Sequence, residues 1–337
     1  MRRLRYGMGI IQRNIGNLCC NVKSRACFLP ELFVNYFEIN SISYNFGDPM
    51  SKPIGILYVA SEADPFIKSG SIGDLAGSLP KTVKAMGHDI RVMLPGYGSI
   101  NSRRFQIHNL LRMKEIEIPV GGKMEQASVR SSYLNSENQK VLVYFLANER
   151  FFNREGLYYH PSTKKYFTDN DERFIFFCRG VLETLKKLRW QPDIIHCNDW
   201  QCGLIPAYLH SIYKDDPFFK HMRTVFTVFS LASHASFPKK SFEKAGLPSH
   251  ICGENGSGLG RLNFLTAGLT FADVITTLGN RAEQGIRISP QDDMGKVLQA
   301  RKNSIVSMGT ETHNGNGNGL LARKFIDVYR ELAKNGR

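Results

Sequence analysis

The sequence predicts an α/β fold, a doubly wound lobe in which parallel strands alternate with helices. Three observations carry that expectation. The first is the order of segments between Pro53 and Ile100: an apolar run at 54–60, a polar, Gly-rich loop at 61–73, a helix at about 74–86, and a second strand at 89–94. A short unbroken apolar run is the mark of a strand buried on both faces, and strand, loop, helix, strand is the opening unit of a doubly wound sheet. The second is a later repeat of the same order. Phe174, Phe177, Cys178, Val181, Leu182, Leu185 and Leu188 recur at helical spacing, Pro192 ends that helix, and 193–196 reads as the next strand. The third is size: 337 residues, 42% of them hydrophobic, suffice for one large or two medium domains with a real core.

Taken in order, the first 49 residues do not share this pattern. Up to Pro30 they carry Arg2, Arg3, Arg5, Arg13, Lys23 and Arg25 and no acid. Such composition fits a transit peptide, or an upstream extension, since Met50-Ser51-Lys52 stands directly before the first strand. The expectation is a basic, disordered extension over 1–49 with Met50 as the functional start. No stretch is long and apolar enough to span a membrane. A formal charge of +14 suits a polyanionic or phosphorylated ligand. No run of five like charges and no nucleic-acid module accompanies it, so the charge reads as solvated helix faces. Seven irregularly spaced cysteines fit reduced thiols in a cytoplasmic protein, and Cys197 and Cys202 lack the spacing of a zinc pair.

The loop after the first strand carries the chemistry. Gly70 and Gly73 let backbone approach a ligand, the following helix offers free N–H groups and its positive end, and Lys68 adds a point charge. These features suggest an anion site; from composition alone the plainer reading is a βα loop with a solvated lysine. From 101 to 149 short alternating segments at 115–120, 127–132 and 141–146 are broken by Gly121-Gly122 and Asn135-Ser136, as in β-hairpins. Residues 151–165 are aromatic and polar and read as a surface loop. Asn170-Asp171-Glu172 then opens the long helix with acids at its positive end.

Three motifs resemble bacterial glycogen synthases and plant starch synthases: KSGSIGDL at 68–75, GHDIRVMLPGYG at 87–98 and IIHCNDWQCGLIPAYL at 194–209. The resemblance spans roughly 54–286. It implies the Rossmann-like first lobe of a two-lobed (GT-B) glycosyltransferase. It also implies transfer of glucose from ADP-glucose to the non-reducing end of an α-1,4-glucan, with retention. In such a protein ADP-glucose is a substrate, and no cofactor or metal is implied. The substrate-binding positions carried over are Glu62, Lys68, Gly70, Asp74, Asn198 and Gln201. His196 and Asp199 are the catalytic candidates, His196 being equally readable as a core histidine.

The sequence departs from the family pattern at defined places. Ser71 stands where the loop usually has a second glycine. The strand-end motif, commonly H-x-H-D-W-H, is His196-Cys197-Asn198-Asp199-Trp200-Gln201 here. An amide still hydrogen-bonds a sugar hydroxyl, without the titratable charge of imidazole. Phe229 and Ser230 replace an imidazole and an amide, and 277–282 departs from the usual T-V-S-P-T-Y. After Ile286 only about fifty residues follow, where the family has a second, nucleotide-holding lobe.

The expected organisation is therefore a lobe at 50–287, a linker at 288–319 that is Asn/Gly-rich at 313–319, and an amphipathic helix at 320–337. That last segment resembles the family's final helix, which crosses back onto the first lobe. Two functional readings follow. One is a glucosyltransferase lobe, weak or inactive without a second lobe, which a second chain would supply. The alternative is a catalytically silent glucan-binding or regulatory module of glycogen metabolism. Tyr158, Tyr159, Tyr166 and Phe167 would stack on glucose rings in either, or serve as packing.

Overall fold

Strand β1 (Gly55–Val59) is buried along nearly its whole length and pairs in parallel with a neighbour on each side. The structure, a computed structural model, describes residues 52–136, 139–231, 235–248, 251, 260–278, 293–309 and 317–336. The expected extension at 1–49 lies outside them. So do residues 232–234 and 279–282 of the departing motifs, and 313–316 of the Asn/Gly run.

After β1 come helix α1 (Ser71–Ala85), strand β2 (Asp89–Pro95) and the short β3 (His108–Asn109). The next stretch is β4 (Ile116–Val120), β5 (Lys123–Asn135) and β6 (Lys140–Ala147), followed by the single-turn α2 (Glu149–Phe152) and the long α3 (Asn170–Leu188). The second half runs β7 (Ile194–Asn198), α4 (Leu204–His210), β8 (Arg223–Val228), β9 (Ser236–Phe237), α5 (Lys240–Ala245) and β10 (Leu262–Asn263). It ends in α6 (Phe264–Phe271), β11 (Val274–Thr277), α7 (Asp293–Ala300), β12 (Ile305–Ser307) and α8 (Gly317–Asn335).

Among the described residues one sheet has the order β12-β11-β8-β7-β1-β2-β6-β5-β3, with β4 paired to β5. From β12 to β6 every pairing is parallel; β5 runs antiparallel to β6, and β3 and β4 antiparallel to β5. Gly121 and Gly122, both at positive φ, make the two-residue turn between β4 and β5. The strand order reverses at β1: the chain winds outward through β2 and β6, then returns to β7 on the other side.

Several segments differ from their sequence reading. Helix α1 begins at Ser71 rather than 74, taking in Gly73 from the expected loop. Residues 151–165 are not simply a surface loop, because Phe151 and Phe152 are fully buried. The guanidinium of Arg173 draws the segment inward by donating to the carbonyls of Phe151 and Leu157, each at 2.8 Å. The span 288–319, expected as a linker, contains α7 and β12, and β12 extends the sheet in register with β11. Residues 317–319 belong to α8.

Helix α8 packs its apolar stripe inward. Leu321, Ala322, Phe325, Ile326 and Tyr329 are buried, and the helix lies on α1 and β7. Its anchor is His196 in the middle of β7. One ring nitrogen meets the Tyr329 hydroxyl and the other the Thr227 hydroxyl, both at 2.6 Å, and Thr227 continues to Thr276 at 2.6 Å. A neutral imidazole satisfies such a chain by donating from one nitrogen and accepting at the other. A polar thread thus crosses β7, β8 and β11 and ends on α8.

Candidate functional site

In an open parallel sheet the loops leaving the strands diverge where the strand order reverses, and that divergence opens a crevice. By strand order that position is between β1 and β7, where loop 60–70 leaves one strand and residues 199–203 the other, close enough for the Glu62 charge to act on Asp199.

Glu62 organises the first side. Its carboxylate is buried, with relative exposure of 1%. One oxygen accepts from Ser69 Oγ at 3.0 Å and the Tyr158 hydroxyl at 3.1 Å, while the other accepts the backbone N–H groups of Ser69 and, at 3.2 Å, Gly70. One acid therefore fixes the loop that carries Lys68. The loop also lies against α1, and helix glycines make room for it. A β-carbon at Gly77 would sit 2.5 Å from the Asp64 carbonyl, and one at Gly73 would sit 2.9 Å from the Lys68 side chain. At Gly70 the surroundings are open: a β-carbon there would meet nothing within 4 Å. Gly70 is extended, with φ of −162°, and no side chain caps the first turn of α1. The positive end of the helix therefore carries no side-chain acceptor beside that open space.

Lys68 and Asp74 form an ion pair on the loop surface, with 43% and 60% of their side chains exposed. The Asp74 contact raises the lysine pKa, so the ammonium stays charged. Ser71 is exposed at the start of α1.

On the second side, Asp199 follows the last residue of β7. Its backbone has φ 60° and ψ −177°, a conformation costly for any residue with a side chain. The carboxyl is buried and accepts backbone N–H groups from Trp200, Phe229 and Ser230. Burial nevertheless prevails and pushes its pKa up to about 7, with the nearby Glu62 charge adding to the rise. Its Oδ1 has no hydrogen-bond partner among the described residues, nor has Oε1 of the buried Gln201. Trp200, next in sequence, is buried in ring contact with Phe174 at 4.9 Å and Phe237 at 5.8 Å.

The sequence-derived candidates thus divide. Glu62, Lys68, Gly70 and Asp74 share one side of the crevice, and Asp199 and Gln201 sit across from them. Asn198 and His196 turn inward. The Asn198 amide donates to the Val59 carbonyl at 2.9 Å and accepts from the Tyr58 hydroxyl at 2.9 Å, tying β7 to β1. Both ends of the amide are occupied, so Asn198 acts as a strand tie rather than a sugar contact. His196 is fully buried, its pKa lowered to about 3 by desolvation, and as a neutral strut it offers no exchangeable proton to the crevice.

Two residues near Glu62 escaped the sequence reading. Arg173 is a buried cation that donates to Asn170 Oδ1 at 2.7 Å as well as to the two carbonyls. Tyr97, just past β2, is buried close enough for the Arg173 charge to act on it. An arginine at the head of the apolar run Arg173-Phe174-Ile175-Phe176-Phe177 is the overlooked signal for the first; Tyr97 gave none. Among the described residues no group of three His, Cys, Asp or Glu side chains is placed to hold a metal ion, and no helix is long and apolar enough to cross a membrane.

Comparison with known proteins places this arrangement. The family model for the starch synthase catalytic domain matches residues 55–300. A glycogen synthase from Chlorobium phaeobacteroides is 36% identical over 285 residues, covering 83% of this chain and 55% of that protein. One from Chlorobaculum tepidum is 35% identical over 283 residues, covering 82% and 57%. Among solved structures, the catalytic domain of starch synthase IV from Arabidopsis thaliana, bound to ADP and acarbose, superposes with a TM-score of 0.65 at 21% identity. It covers 77% of this chain and 52% of that one. The fold is shared, and the chain spans about half the length of the curated relatives it matches.

Proposed function

The chain belongs to the starch synthase catalytic domain family, and from that premise we propose that it acts as one lobe of a glucosyltransferase. The reaction is transfer of glucose from ADP-glucose to the non-reducing end of an α-1,4-glucan, with retention, in the cytoplasm. The observation that carries the reading is the β1/β7 crevice, where the Lys68 loop, an uncapped helix start and open space at Gly70 coincide.

The residues divide the work as their chemistry allows. A diphosphate approaching Gly70 meets the uncapped first turn of α1 and its positive end, the Ser69 and Gly70 N–H groups being held by Glu62, and the Lys68 ammonium exchanges Asp74 for a phosphate oxygen. Glu62 keeps the loop in that shape. Asp199, holding the Phe229 and Ser230 backbone, shapes the sugar side, and the Gln201 amide supplies an acceptor. Neither His196 nor Asn198 takes part directly. Retaining transfer also needs a closed, dry cleft with groups around the leaving phosphate. These residues line one side of such a cleft. The rest comes from a second lobe corresponding to the remaining half of the relatives' length, in whatever chain that lobe resides.

The test is incubation with labelled ADP-glucose and glycogen, with and without the separately expressed second lobe of a relative. We expect weak incorporation alone and stronger incorporation with the lobe added. Glycogen binding without incorporation under either condition would favour a silent glucan-binding module, and binding of neither ligand would contradict both readings.

A further inference from the structure

The Arg173 guanidinium is fully buried and, among the described residues, pairs with no carboxylate. A cation so placed is costly unless its protons are taken up elsewhere. Here they are directed at one piece of chain. Nε donates to the Phe151 carbonyl and Nη1 to the Leu157 carbonyl, each at 2.8 Å, and Nη1 also donates to Asn170 Oδ1 at 2.7 Å. A guanidinium can only donate, so it turns the accepting end of the Asn170 amide towards itself. The donating end is left for the Tyr158 carbonyl, at 2.8 Å. Two successive carbonyls, of Leu157 and Tyr158, are thereby clamped to the first turn of α3. Beyond that clamp the Tyr158 side chain reaches the loop after β1. Its hydroxyl donates to Glu62 Oε1 at 3.1 Å and lies 2.7 Å from Ser61 Oγ. Glu62 in turn accepts the N–H groups of Ser69 and Gly70, the two residues after Lys68.

We propose that Arg173 and Asn170 are positioning residues for the Lys68 loop, acting through Tyr158 and Glu62. The proposal rests on the reading of that loop as the phosphate side of the crevice. Three features favour positioning over plain packing. An apolar side chain would fill the same space without the cost of burying a charge. The planar guanidinium instead reaches carbonyls on two separate residues of the segment, which a hydrocarbon cannot do and a point-like ammonium does poorly. The Asn170 amide is used at both ends, so its orientation is fixed by Arg173 and passed on to Tyr158. Every later link is also a hydrogen bond with a set direction, and the last ones fall on the loop's own backbone. The side chains of α3 thus determine where Tyr158 stands, Tyr158 where the Glu62 carboxylate stands, and Glu62 the shape of the turn that carries Lys68.

The test follows hydrogen exchange at the Ser69 and Gly70 amides of the full chain by NMR, with ADP affinity from calorimetry and melting temperature measured in parallel. Arg173→Lys and Tyr158→Phe should each speed exchange at those two amides and weaken ADP binding about tenfold, the scale of losing a group that orients a binding side chain. The double variant should be no weaker than either single one, because both act on one chain of contacts. Asn170→Asp separates position from stability. Its carboxylate pairs with Arg173 and suits the first turn of a helix, but cannot donate to the Tyr158 carbonyl. It should melt no lower than the wild type, yet loosen the loop and weaken ADP binding like the other two. Val181→Ala, which removes buried α3 packing about two turns further on, should lower the melting temperature and leave both loop readouts unchanged. Wild-type exchange and ADP affinity in Asn170→Asp, or effects of Arg173→Lys and Tyr158→Phe that multiply in the double variant, would overturn the positioning role while leaving the phosphate reading of the loop intact. Failure of the wild-type chain to bind ADP would overturn that reading, and the proposal with it.

Discussion

His196 and Asp199 lie three residues apart and titrate in opposite senses. His196 stays neutral down to about pH 3, whereas an ordinary histidine takes its proton at about 6.5. The unfolded chain therefore binds the proton first, and stability is lost as pH falls from 6.5 towards 3. Asp199 keeps its proton up to about pH 7 against an ordinary 3.8, so its contribution is full below 3.8 and is lost as pH rises towards 7. Between 3.8 and 6.5 the two slopes cancel. Asp199→Asn removes one of them, and denaturant titrations should then show stability rising by about 1.4 kcal/mol for each unit that pH rises in that window. His196→Gln should show the reverse, a decline as pH rises; parallel profiles for all three proteins would refute the assignment. At the loop surface, Lys68→Ala should weaken ADP binding about tenfold or more, while Asp74→Asn, which frees the ammonium, should strengthen it. Calorimetry at two salt concentrations measures both, and unchanged affinity in Lys68→Ala would remove the lysine from the phosphate site.

At the scale of elements, α8 is the piece whose importance is least evident locally. It is joined to β7 by the Tyr329–His196 contact, across 133 residues of sequence. Phe325→Ala removes a fully buried ring tilted against His196 at 5.0 Å and should cost about 3–5 kcal/mol. Deleting 320–336 should lower the melting temperature sharply, and an unchanged transition would mean that α8 does not hold the sheet. Much of the element order was legible in advance, because β1, β2 and α3 announce themselves by run length and period. The directions of the β7 side chains were not. Every residue of β7 is buried, so alternation carries no polar signal to tell His196 and Asn198, which point into the fold, from residues that face a ligand. The burial of Phe151, Phe152 and Tyr158 was equally hidden, since the segment is held by Arg173, a tertiary partner. The span 288–319 looked like linker because its described elements, α7 and β12, are short, and β12 gains its order from the sheet edge.

For the molecule as a whole, topology says more than any single residue. The loop motif, the 194–209 motif and the reversal of strand order converge on one crevice, although residues 60–193 lie between β1 and β7. A family resemblance named that loop and strand end, but only the packing shows which of their side chains face outward. The departures recorded in the sequence fall into two classes. Asn198 is built into the core, where an amide ties two strands, whereas Ser71, Phe229 and Ser230 border the crevice and alter its lining. Substitution at the first class should register in stability, and at the second in ligand affinity. The central claim is that ligands meet this chain at the β1/β7 crevice, and hydrogen exchange with and without ADP-glucose and a maltooligosaccharide tests it most directly. The account predicts slowed exchange at the amides of 68–72 and 199–203, with the outer strands β4 and β5 unchanged. Protection confined to other segments, or none at saturating ligand, would contradict it.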